Sequence, residues 1–90
     1  MAQIIRTDGT VTNIEPKNGT DFSSEEIHQV INGYIELYYL SDGKRMIILD
    51  EEGKLKDLPY NEKATEIADI IRYGDVIVGD VILCDVNQLK

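Results

Sequence analysis

Apolar and polar positions alternate from Gly33 to Leu58, GYIELYYLSDGKRMIILDEEGKLKDL, and predict a β-meander on which the rest of the chain packs. Asp42-Gly43 lies between two apolar runs and predicts a two-residue type I′ turn, in which both central residues need φ > 0. That turn sets a register with Leu40 opposite Arg45, Tyr39 opposite Met46, Tyr38 opposite Ile47, Leu37 opposite Ile48 and Glu36 opposite Leu49. A second turn is expected near Asp50-Glu51-Glu52-Gly53, with Gly53 left-handed. A third short strand, Lys54 to Leu58, follows and is stopped by Pro59. Gln3 to Glu15 reads as a hairpin about a second type I′ turn at Asp8-Gly9, closed by the turn cluster Pro16-Lys17-Asn18-Gly19.

Two segments carry helical spacing instead. Ser23 and Glu26 form a capping box, and Phe22 and Ile27 a hydrophobic staple around it. Ile27, Val30 and Ile31 make one face, and Asn32-Gly33 is expected to stop this short helix in the left-handed way. The second helix is expected from about Glu62 to Arg72 with Asn61 as N-cap. Ala64, Ile67, Ala68 and Ile71 form its apolar face; Glu62, Glu66 and Asp69 form an acidic stripe on the other side, and Gly74 ends it. Val81-Ile82-Leu83-Cys84 is an almost unbroken apolar run, expected as a strand covered on both faces. Gly79 before it marks a turn, a bulge or a close backbone approach. The expected architecture is one α+β domain over residues 1–90. It has a twisted, mostly antiparallel sheet and two helices, the longer packed on one face.

Composition narrows the function classes. Ninety residues with 42% hydrophobic content suit a globular fold with one modest core. A net charge of −8 argues against direct nucleic-acid binding, which needs a basic surface, and against an anionic membrane. It suits solubility, a cationic partner or mimicry of a polyanion. No apolar run reaches the length of a membrane span, and the N-terminus lacks the apolar core of a signal peptide, so a cytoplasmic protein is expected. Cys84 is the single cysteine and is expected buried and inert; His28 is the single histidine and is expected at the surface. Hydrolytic catalysis and zinc binding therefore have poor raw material, and no enzyme, cofactor or metal is expected. Asp50-Glu51-Glu52 lacks the alternate spacing of a calcium loop and reads as a solvated turn. The repeated steps Gly74-Asp75 and Gly79-Asp80 match no phosphate loop and read as turns.

Glu36 stands out in the meander. In the register above it shares a face with Tyr34, Tyr38, Ile47 and Leu49. Two readings stand: a pocket acid that accepts hydrogen bonds from a ligand, or a solvated carboxylate among tyrosines on an outer sheet face. The tyrosines themselves suit an interface or ordinary packing. One sheet face is expected to keep an exposed patch of tyrosine and aliphatic groups around Glu36, since the second helix has one apolar face and the first is too short to cover the other side completely. That makes Glu36 and Tyr38 candidate partner-binding residues.

The segments IIRTDGT at 4–10, GYIE at 33–36, DEEGKLKDLPYNEKAT at 50–65 and GDVIVGDV at 74–81 are specific as a set. Together they resemble a small family of domains of unknown function found in bacteriophages and in conjugative elements of gut bacteria. The resemblance spans nearly the whole chain. It implies an accessory protein of a mobile element, of a kind that often counters host defences. If the family has a ligand site, the resemblance points to Tyr34, Glu36, Asn61, Thr65 and Asp80. Asn61 and Thr65 have equal claims as N-cap and helix residue. Three functions stay open: a non-catalytic module that binds a host protein or sequesters a small ligand, an acidic DNA mimic, and a structural component that forms homo-oligomers.

Overall fold

A computed structural model describes residues 2–89. Five strands form one open sheet: β1 (Ala2–Ile5), β2 (Val11–Ile14), β3 (Ile35–Tyr39), β4 (Arg45–Asp50) and β5 (Val81–Asp85), in the order β2-β1-β5-β4-β3. Every neighbouring pair is antiparallel. Two helices, α1 (Ser24–His28) and the longer α2 (Glu62–Ala68), lie off the sheet, and the fold is α+β as expected. No helix of the described residues is long and apolar enough to cross a membrane.

The two Asp-Gly hairpins have the expected strands but a different turn. The β3–β4 register pairs Glu36 with Leu49, Leu37 with Ile48, Tyr38 with Ile47 and Tyr39 with Met46. Neither turn is type I′, however, because only the glycines take positive φ: Gly9 at 91° and Gly43 at 70°. The aspartates stay on the right-handed side and use their carboxylates as backbone caps. Asp42 Oδ1 accepts from the N–H groups of Lys44 (2.8 Å) and Arg45 (3.0 Å). Asp8 Oδ1 does the same for Thr10 (2.9 Å). A side-chain cap two residues ahead is what an Asx turn offers, and here it displaces the primed turn. The Lys44 N–H, then the Arg45 side chain and N–H, hold the Asp42 carboxyl down to about 2.

The third strand of the meander does not form. Residues 51–57 run as consecutive turns, with Lys56 N–H donating to the Glu52 carbonyl (3.1 Å) and Leu58 N–H to that of Gly53 (3.1 Å). Gly53 is not left-handed; Asp57 is, at φ 55°. The strand beside β4 is β5, drawn in from the end of the chain, with Met46 opposite Cys84 and Ile48 opposite Ile82. The reason is burial. β4 is apolar on both faces, and β5 matches it with Val81, Ile82, Leu83 and Cys84 all buried, whereas Lys54–Leu58 offers only two apolar side chains.

Alternation along the strands divides the core in two. Ala2, Met46, Ile48, Ile82 and Cys84 face α1, where Phe22, Ile27 and Ile31 cover them. Ile5, Ile47, Val81 and Leu83 face α2, where Ala64 and Ala68 let the helix come close. Both sheet faces therefore carry a helix; of the patch expected around Glu36, Ile47 is buried, while Glu36 stays exposed and Tyr38 and Leu49 are half-buried. The capping box at Ser23 and Glu26 forms, but α1 ends at His28 rather than at Asn32. α2 also stops early. Asp69 turns left-handed (φ 53°), and a 3-10 turn, Ile70–Tyr73, carries the chain on. This break puts Ile70 against the core and leaves Ile71 61% exposed, so Ile71 is not part of the apolar face.

Candidate functional site

The six sequence-derived candidates do not gather in one place. Asn61 and Thr65 are fully buried at the join between α2, β1 and the approach to β5. Asn61 caps α2 by accepting from Ala64 N–H (3.1 Å), and its amide donates to the carbonyls of Ile5 (3.0 Å) and Gly79 (2.8 Å). Thr65 donates to the Asn61 carbonyl (2.7 Å) and accepts from Ile77 N–H (2.9 Å). Asp80 accepts from Thr7 N–H (2.9 Å), tying the first hairpin to the same join. Tyr34 is 74% exposed just before β3. Asn61 and Thr65 thus meet in a buried join, while Glu36 and Tyr38 come together on the α2 side of β3, where they line one groove.

That groove has a volume of about 280 Å³ and is open to solvent. The β3–β4 end supplies Glu36, Tyr38, Leu49 and Glu51, and the segment after the helix break supplies Asp75 and Ile77. Tyr38 is half-buried and its hydroxyl donates to the Ala68 carbonyl (3.3 Å), so its ring is a fixed wall. Lys54 lies at the rim and pairs with Asp75. That bond, and then the Val76 N–H, holds the Asp75 carboxyl below its ordinary range. Glu36 and Glu51 are exposed and have no ion-pair partner among the described residues. The groove thus combines an aromatic and aliphatic floor with two uncommitted carboxylates.

A second groove, about 310 Å³, lies on the other side of the β4 end and holds a residue the sequence reading missed. Asp50 was expected in a solvated turn, yet it is 7% exposed. Lys56 Nζ pairs with its Oδ2 (2.8 Å) and also donates to the Asn32 carbonyl (2.6 Å), while Asp50 Oδ1 accepts from Glu52 N–H (2.8 Å). Burial pushes this carboxyl up, but the Lys56 hydrogen bond, the Glu52 N–H and the Lys56 charge outweigh it and leave the pKa lowered. The charged groups of this groove are spent on one another and on backbone, which marks it as structural. The signal for it was parity: in β4 Asp50 follows Met46 and Ile48 at even spacing and so falls on their inward face.

Lys56→Met is therefore expected to destabilise by about 1–3 kcal/mol near pH 7. Breaking a buried pair costs about 3–5 kcal/mol, and the exposure of Lys56 reduces it. The pH dependence has a definite sign. In the wild type Asp50 stabilises above its unfolded pKa, and that stabilisation is lost as pH falls through the lowered folded value. In the variant, burial is opposed only by the Glu52 N–H, so the variant gains relative stability on acidification. Urea unfolding at about pH 7 and about pH 4 should show the gap shrinking at the lower pH; a constant gap would sink this account.

Of the remaining reactive groups, Cys84 is enclosed and His28 is exposed on α1, as expected for each. Cys84 is fully buried; burial, and then the Asp85 charge, pushes its thiol up to about 11. His28 Nδ1 lies 3.0 Å from the Ile31 carbonyl. No group of three or more His, Cys, Asp or Glu among the described residues is placed to hold a metal ion.

No curated protein and no solved structure matches the chain. A family model described as a domain of unknown function, DUF3846, matches residues 3–89, and the chain belongs to that family.

Proposed function

We propose that this member of the DUF3846 family is a non-catalytic accessory protein of a phage or mobile element, acting in the cytoplasm by binding a host protein and countering host defence. The observation that carries the reading is the groove of Glu36, Tyr38, Glu51 and Asp75. Its rim carries the exposed carboxylates of Glu36 and Glu51 beside the Lys54–Asp75 pair, and Leu49, Ile77 and a fixed tyrosine line it within. Its volume lies just below the usual range for small-molecule sites, about 300–1,000 Å³. A groove of that size takes a few side chains of a protein segment more readily than a whole drug-sized ligand. The burial of Cys84, which pushes its thiol up to about 11, supports a binding role over a catalytic one.

The DNA-mimic reading is weaker. Asp42, Asp50, Asp69 and Asp75 are each paired with a lysine or arginine, which breaks up the evenly spaced negative face a mimic requires. Affinity capture from a bacterial host lysate separates the two. A partner retained by the wild type should be lost by the double variant Glu36→Lys/Glu51→Lys while the melting temperature stays unchanged. Retention of every partner by the variant rejects the groove. Displacement of the partner by duplex DNA favours mimicry instead.

A further inference from the structure

We propose that β3 is an open edge to which an extended segment of the partner adds as a sixth strand, with apolar and basic residues alternating along that segment. The inference rests on the groove reading and specifies what enters it. β3 ends the sheet, and among the described residues β4 is its only strand neighbour. Leu40 N–H donates to the Arg45 carbonyl and the Tyr34 carbonyl accepts from Glu51 N–H, so the even-numbered residues 34–40 turn their backbone groups toward β4. Ile35, Leu37 and Tyr39 consequently point theirs outward. Native edges are usually guarded by lysine, proline or a bulge. β3 reads IELYY and has none of these.

The two sides of this edge specify the occupant. Ile35 and Leu37 belong to the α1-side core and are half-buried, and Tyr39 beside them is 60% exposed. An added strand would lay apolar side chains against them. On the other side its alternate residues would hang over Glu36 and the groove, where Glu36 and Glu51 favour lysine or arginine. A second copy of this chain could meet the same edge antiparallel about Leu37, but two copies at −8 repel and bring no cation to Glu36. The opposite edge, β2, is shorter and polar at its centre, with Thr12 and Asn13 already bonded to Arg6 and Gln3.

A capped peptide of about eight residues alternating valine and lysine is a sufficient probe, read by amide hydrogen exchange and NMR shifts. At saturation, exchange at Ile35, Leu37 and Tyr39 should slow by about tenfold or more, since these N–H groups gain acceptors. The affinity should weaken several-fold between about 0.02 M and about 0.2 M salt, and for Glu36→Gln at low salt. Peptide N-methylated on its pairing edge, or alternating valine and glutamate, should not protect these amides. Shifts at Tyr38, Leu49 and Ile77 with no protection at the edge would overturn strand addition while leaving the groove standing. Concentration-dependent protection without peptide would show self-pairing and overturn the basic partner. No protection at millimolar peptide overturns the proposal outright.

Discussion

Asn61→Ala is expected to lower the unfolding free energy by about 3–5 kcal/mol, a large share of what a chain of this size has. Asn61 is fully buried and its side chain serves three backbone groups at once: the Ala64 N–H, the Ile5 carbonyl and the Gly79 carbonyl. Alanine removes the helix cap, which alone costs about 1 kcal/mol. It also takes the amide donor from two carbonyls at the buried join, at about 1–3 kcal/mol each. Urea unfolding measures the loss. Glu36→Ala on the exposed groove rim should lie within about 0.5 kcal/mol of wild type in the same assay. A small loss at Asn61, below about 1 kcal/mol, would mean that water replaces the amide and that the join is not dry.

Gly79→Val is expected to cost about 2–4 kcal/mol, and Gly43→Val about 1–2 kcal/mol. Both glycines are left-handed, at φ 80° and 70°, so the backbone strain placed on valine is similar. Their surroundings differ. A Cβ at Gly43 meets nothing within 4 Å, whereas one at Gly79 comes within 2.7 Å of Leu58 Cδ1. Gly79 is also held on both sides, its N–H donating to the Pro59 carbonyl (2.8 Å) and its carbonyl accepting from Asn61. The difference between the two variants therefore reports the contact with Leu58. Adding Leu58→Ala to Gly79→Val should recover part of the loss, and a double-mutant cycle checks it. Equal losses at both glycines would show that Leu58 swings aside freely and that only backbone strain matters.

The groove was half legible in the sequence. The β3–β4 register alone places Glu36, Tyr38 and Leu49 on one face, and the structure keeps them there. Asp75 and Ile77 could not be read in the same way. They reach the groove only because α2 breaks at Asp69 and the following 3-10 turn brings the chain back over Tyr38. Asn61 shows the reverse case. Its role as N-cap is written locally, in an asparagine ahead of a helical pattern, but the two carbonyls its amide holds come from Ile5 and Gly79, far away along the chain.

The features already written in the amino-acid order are local ones. The capping box of Ser23 and Glu26, the hairpin register, the N-cap at Asn61 and the two-sided burial of Val81–Cys84 each depend on residues within a few positions of one another. Short-range hydrogen bonds and the period of the apolar pattern suffice to specify them. Tertiary structure decided which strand lies beside β4, where α2 ends, whether a sheet face stays open, and that Asp50 is buried against Lys56. In each of these, distant segments compete for the same apolar surface. The winner is whichever buries more of it without stranding a polar group, as β5 does over Lys54–Leu58, and no local pattern carries that comparison.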